Sequence, residues 1–188
     1  MKSTVKKLWL TLAAFAVIGL ASEAKAYTPS KNLDIHVSIT ASKSLSVDTT
    51  YYNFGALPIS STVVSASSIT VTNDSGGLVE TYTIQGASAT AIGTGTDWVL
   101  AGSAGSDQYA LAAQFSATFG NLQAAWTSDD LTYNPVASTA EIFGNTTAGE
   151  SGLSVASAGI RGLWFRIKTP TAVTDTVEHK ATITLAVQ

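Results

Sequence analysis

The chain has 188 residues, 45% of them hydrophobic and 12% charged, with a formal net charge of −3 and no cysteine. Those values exclude a highly charged disordered chain, a disulfide-stapled miniprotein and a strongly basic nucleic-acid-binding domain. They leave a chain long enough to bury the core of one domain without cross-links.

The first element is a targeting segment. Lys2, Lys6 and Lys7 precede the apolar stretch from Leu8 to Ala21, and Ala24-Lys25-Ala26 places small residues where a signal peptidase accepts them. The alternative, a retained membrane anchor, needs roughly 20 apolar residues, and this stretch is shorter. Cleavage after Ala26 is therefore expected, giving a signal peptide over 1–26, a mature domain over 27–188 and a secreted, extracellular or cell-surface location. Four of the ten basic and one of the thirteen acidic residues leave with the signal. The remainder, six basic and twelve acidic, has a formal charge of −6. No later segment is long and apolar enough to span a bilayer as a helix.

The mature part reads as strands. Leu33 to Thr40 alternates, with Leu33, Ile35, Val37 and Ile39 on one face, the pattern of a half-buried strand. Thr50 to Phe54 and Ser67 to Thr72 follow, and Asn73-Asp74-Ser75-Gly76-Gly77 is a turn by composition. Val79 to Ile84 resumes the alternation, so a hairpin is expected across that turn. Further strands are expected at Trp98 to Ala101, Tyr109 to Ser116, Leu122 to Trp126, Arg161 to Lys168 and Lys180 to Val187. Ala110 to Gln114 is the single window tempting as a helix, and its flanks favour a strand. Leu163, Phe165 and Ile167 face one way and Trp164, Arg166 and Lys168 the other. If Phe165 is core, Trp164 is exposed, covered by a loop or buried against another subunit. Residues 129 to 158 read as a long loop with one or two short strands. The sum is an all-β fold, a single antiparallel two-sheet β-sandwich.

Catalytic groups are sparse, and no enzyme is expected. His36 and His179 sit in or beside strands, and neither has a metal-binding or nucleophile-activating spacing. Both read as solvent-facing, and no cofactor is implied. Asp129 and Asp130 are weak candidates for a cation, without the run of oxygen ligands that calcium takes. Trp98, Trp126, Trp164, Tyr51, Tyr52, Tyr109 and Tyr133 suit either core packing or a sugar-stacking surface. Asn73 and Asn145 each begin an Asn-x-Ser/Thr acceptor pattern for N-glycosylation.

Two layouts have a family resemblance. The Ile69-Thr70-Val71-Thr72-Asn73 strand ending, the later aromatic strand and the final alternating strand resemble secreted immunoglobulin-like sandwiches, with a jelly-roll-like arrangement as the other option. The plan of signal peptide, alternating N-terminal strand and cysteine-free sandwich resembles the TasA/camelysin-like fibre subunits. That resemblance implies that strand 33–40 of one subunit completes the sheet of the next, and it carries over no other residue.

The expected function is an extracellular structural protein, a subunit of a filament, sheath or surface layer. Its partners are copies of itself in a homo-oligomer or homopolymer, with no nucleic acid. Leu33, Ile35, Val37, Ile39 and Trp164 are the candidate assembly residues. The alternative is a secreted module that binds carbohydrate or a surface, with a glycan as partner. Intact-mass measurement of protein recovered outside the cell is expected to give a chain that starts at Tyr27. A mass retaining residues 1–26 contradicts the signal reading.

Overall fold

A computed structural model describes residues 37–38, 42–116, 126, 128–144 and 150–188. From residue 42 onward these belong to one unit. Its described residues contain nine strands and no helix: β1 (Leu45–Val47), β2 (Thr62–Val64), β3 (Ile69–Asn73), β4 (Tyr82–Ala91), β5 (Val99–Leu100), β6 (Gln108–Ser116), β7 (Val136–Ala137), β8 (Ile160–Lys168) and β9 (His179–Val187). They form a six-stranded sheet in the order β1-β3-β8-β6-β5, with β2 also on β8, and a three-stranded sheet β7-β4-β9. Every named pair is antiparallel except β5 with β6, which is parallel.

Period-2 alternation sets the core. Tyr109, Leu111, Ala113 and Phe115 of β6 and Leu163 and Phe165 of β8 project from the large sheet. Tyr82 and Ile84 of β4 meet them from the small sheet, and all eight are buried. The residues that β6 turns outward, Ala110, Ala112, Gln114 and Ser116, are buried as well. On that outer side Trp126 and Trp164 pack with Ala112 and Val64. Of the three surroundings considered for Trp164, the described residues show cover from within the chain, by Trp126.

β2 and β3 lie on one edge of β8, Val64 opposite Arg166 and Ile69 opposite Leu163. The four residues between them span a gap that two residues fill on β8, so the strand bulges. Ser65 bridges the bulge: its N–H donates to Phe165 O at 2.8 Å and its hydroxyl accepts from Phe165 N–H at 3.1 Å. A side chain here replaces a missing rung, which is why this serine is buried.

Three residues stitch the sheets. Trp98 exchanges backbone bonds with Ala89 of β4, and Val99 and Leu100 pair with Gln108 and Tyr109 of β6. The large sheet thus curls toward the small one along this side. Gly86 is required at the seam, since a Cβ there would stand 2.7 Å from Leu100 Cδ2. A bulge in β4 lies between Gly86 and Ala89, where the Tyr109 hydroxyl donates to Ala87 O at 2.5 Å.

The expected hairpin across Asn73–Gly77 is not formed. β3 pairs with β1 and β8, whereas β4 pairs with β7 and β9, so the turn carries the chain between sheets. Asn73 makes the change of direction. Its Nδ2 donates to Leu78 O and to Val155 O, and its Oδ1 accepts from Ser75. Thr50 to Phe54, expected as a strand, is irregular chain.

Tyr82 is fully buried, and neither its hydroxyl nor Glu80 Oε2 has a hydrogen-bond partner. Burial, with the charge of Glu80 adding to it, pushes the phenol up to about 12 from its ordinary 10.0. The unfolded chain releases that proton first. The stability this group contributes is complete below pH 10 and is lost as pH rises through about 12. Tyr82→Phe is expected to leave stability unchanged or raise it by about 1 kcal/mol in urea titrations, because an unpartnered hydroxyl is removed. The same variant loses that part of the alkaline slope.

Candidate functional site

On the side away from the Trp98 seam no described strand joins the two sheets. β9 is the last strand of the small sheet, and its pairing with β4 has a fixed phase. Gln188 N–H donates to Thr81 O, and Ile92 N–H donates to Glu178 O. With the registers Thr83↔Ala186 and Thr90↔Lys180, the even-numbered residues bond to β4. The peptide groups of His179, Ala181, Ile183, Leu185 and Val187 therefore point outward, and no described strand pairs with them.

The same odd-numbered residues turn their side chains to the core, yet Ala181, Ile183, Leu185 and Val187 are only half-buried. A cleft of about 1070 Å³ opens beside them. Its floor includes Ile69, Leu163, Phe165 and Ile167 of the large sheet, and residues 49–59 form its far wall. Tyr51 and Ile59 on that wall and Ile92 near β9 are exposed. Apolar floor and unpaired strand edge together are what one additional extended segment would complete. Ala181–Val187 carries no charge that would discourage such pairing.

The residues expected to act in assembly fall in different places. Leu33, Ile35 and Ile39 lie outside the described residues. Val37 is exposed and belongs to no strand. Trp164 is 7% exposed and donates from Nε1 to Ser116 O at 3.4 Å, so its side chain is covered within its own domain. Among the acceptor asparagines, Asn145 lies outside the described residues and Asn73 is buried with its amide held by two carbonyls. His36 is outside the described residues.

Asp129 and Asp130 have separate partners. Asp129 is buried; its Oδ2 accepts from Gln114 Nε2 at 2.6 Å and its Oδ1 from Phe143 N–H at 2.8 Å. Burial raises its pKa, and those two donors oppose the rise. Asp130 stands 3.7 Å from the Arg166 guanidinium, which also lies 5.2 Å over the Trp126 ring. No group of three or more potential metal-ligating side chains occurs among the described residues.

The aromatic residues are mostly spent in packing. Trp126, Trp164 and Tyr109 are buried, and Tyr52 packs edge-on against Phe54 at 4.9 Å. Tyr51 and Tyr133 alone among the candidates are exposed large hydrophobics. His179 is half-buried and stacked on Trp98, a contact that its position before an alternating strand did not signal.

Asp129 holds Phe143 in a left-handed conformation, φ 56°, and places its ring wholly in the core. An asparagine has one acceptor oxygen where the carboxylate has two, so Asp129→Asn turns an amide N–H against Phe143 or Gln114. The expected loss is about 1–3 kcal/mol, read from denaturant midpoints.

No protein-family model matches the chain, and no curated protein or solved structure is similar to it, so the cleft and the β9 edge are the ground for a functional reading.

Proposed function

We propose that this chain is an extracellular structural protein, a subunit of a cell-surface filament, sheath or layer joined through β-strand contacts. The observation that carries the proposal is the unpaired edge of β9 beside an open apolar cleft. An edge of this kind is a hazard in a free monomer and a joint in an assembly.

The segment 33–40 has the chemistry the cleft lacks. Its backbone offers donors and acceptors to the outward groups of β9, and Leu33, Ile35, Val37 and Ile39 offer apolar pegs on one face. Each peg contributes roughly 1.5–3 kcal/mol if fully buried. Supplied by a neighbouring copy, this strand would add to the small sheet and close the domain as an immunoglobulin-like or jelly-roll-like sandwich. Layout resemblance to TasA/camelysin-like fibres supports the same reading, as does the signal-like segment 1–26. The carbohydrate-binding alternative ranks second, because few of its candidate aromatic residues are exposed.

The test separates joint from core. A mature protein lacking residues 27–41 is expected to fold and to remain monomeric, while the intact mature protein forms polymers visible by electron microscopy. A free peptide of residues 31–41 raises the melting temperature of the truncated domain without restoring polymers. Val37→Asp abolishes polymers, since an unpaired carboxylate enters the cleft. Ala181→Pro also abolishes them while sparing the fold, because it removes an N–H that β4 does not use. A truncated domain that stays unfolded with excess peptide assigns the strand to its own subunit. Light scattering that finds only monomer for the intact protein removes the assembly reading.

A further inference from the structure

Where β9 begins, at one end of the cleft, a single imidazole stands between two carbonyl oxygens. His179 Nδ1 is 2.9 Å from Val177 O, and Nε2 is 2.9 Å from Thr96 O. A neutral imidazole has one N–H and one lone pair, so it satisfies one carbonyl and sets its lone pair against the other. The imidazolium donates to both. The ring also lies flat on the Trp98 indole, with centroids 3.9 Å apart and 16° between planes. An aromatic face attracts a cation placed over it.

Charged groups stand on the same segments of chain. The Asp175 carboxylate accepts from Thr96 N–H at 2.6 Å and from Val177 N–H at 3.1 Å. Those bonds, with a smaller contribution from His179, hold its pKa below the usual value. Asp97 sits beside Trp98 in sequence and accepts from Ala91 N–H at 2.9 Å. Glu178 and Lys180 flank the histidine, both exposed, and Tyr109 lies beyond Trp98 at 6.5 Å. Burial keeps the Tyr109 phenol neutral by raising its pKa.

We infer that His179 is a proton-operated latch that pins the Gly93–Asp97 loop to the start of β9 and lets go when the ring gives up its second proton. The closed latch binds one proton more than the open one, so rising pH favours opening. The loop seats closely only because residue 95 is glycine: a Cβ there would lie 2.6 Å from Val177 Cγ2 and 2.9 Å from Asp175 Oδ2. Trp98, Val177 and His179 all line the cleft, so the latch governs access to that end of it. This inference rests on the ring's own geometry and stands apart from the strand-joining proposal.

Nuclear magnetic resonance on the unmodified chain tests it, using imidazole ¹⁵N shifts together with amide exchange corrected for intrinsic rates. In acid, both ring nitrogens of His179 are protonated, and the amides of Thr96 and Ile92 are protected. As pH rises, their protection falls at least tenfold in step with loss of the ring proton, while the core amide of Phe115 is unchanged. His179→Phe keeps the stack on Trp98 and abolishes the step. Gly95→Val gives the low protection at every pH. A ring that titrates with no change at Thr96 overturns the inference from the wild-type protein alone, whether or not the variants fold. A step that survives in His179→Phe overturns it too.

Discussion

Strand β6 is buried on both faces, and every peptide group along it must therefore find a partner inside the protein. β8 satisfies one edge over seven consecutive residue pairs. The other edge is met in pieces: β5 at Gln108 and Tyr109, Asp129 and Leu131 at Ala113 and Leu111, and Phe143 at Phe115. These pieces come from distant parts of the chain, so closing this one edge fixes the courses of the 98–100, 129–131 and 143 segments together. Asp129 is the pin among them, since its backbone pairs with β6 while its carboxylate holds Phe143 and Gln114. Short irregular segments thereby do the work of a regular strand, and they carry the large sheet around toward β4.

Among the described residues no such closure exists on the opposite side. The small sheet has three strands against six, and its last strand has half its peptide groups turned away from any ladder. One domain thus has an edge met in pieces at β6 and, among the described residues, an unpaired one at β9. In a strand the side-chain and hydrogen-bonding periods are both two, so the peptide groups that face outward belong to the residues that face the core. A segment docking on β9 would pair with its backbone and cover its half-buried apolar side in one step.

Three of the four long strands were legible in the sequence; the fourth, β4, was expected over Val79 to Ile84 and runs instead from Tyr82 to Ala91. Tyr109 to Ser116, Arg161 to Lys168 and Lys180 to Val187 appear within a residue of their expected limits, because each is at least seven residues long and strongly patterned. β1, β2, β5 and β7 have two or three residues each, too few to show any period; β5 falls inside an expected strand and β7 inside the expected loop, whereas β1 and β2 had no signal. The turn at Asn73–Gly77 was legible as a reversal but not as a change of sheet. That outcome depends on Asn73 reaching Val155, 82 residues away, which no local pattern encodes. Thr50 to Phe54 has the aromatic and β-branched composition of a strand and instead forms a wall of the cleft. The outward turn of Trp164 followed from Phe165 facing in, whereas its partner Trp126 did not. The latch at His179 had no sequence signal at all, since its acceptors are backbone oxygens of Thr96 and Val177.

The composition of β9 also bears on how the chain survives before it folds. Ala181-Thr182-Ile183-Thr184-Leu185-Ala186-Val187 holds no charge and no proline, and most of its residues are β-branched or aliphatic. Such seven-residue stretches are the sequence signature of cross-β stacking between chains. β9 pairs with β4 about a hundred residues earlier in the chain, so its native partner is reached across a long loop. Folding and amyloid-like association therefore compete for the same peptide groups, and chain concentration at the moment of folding decides between them.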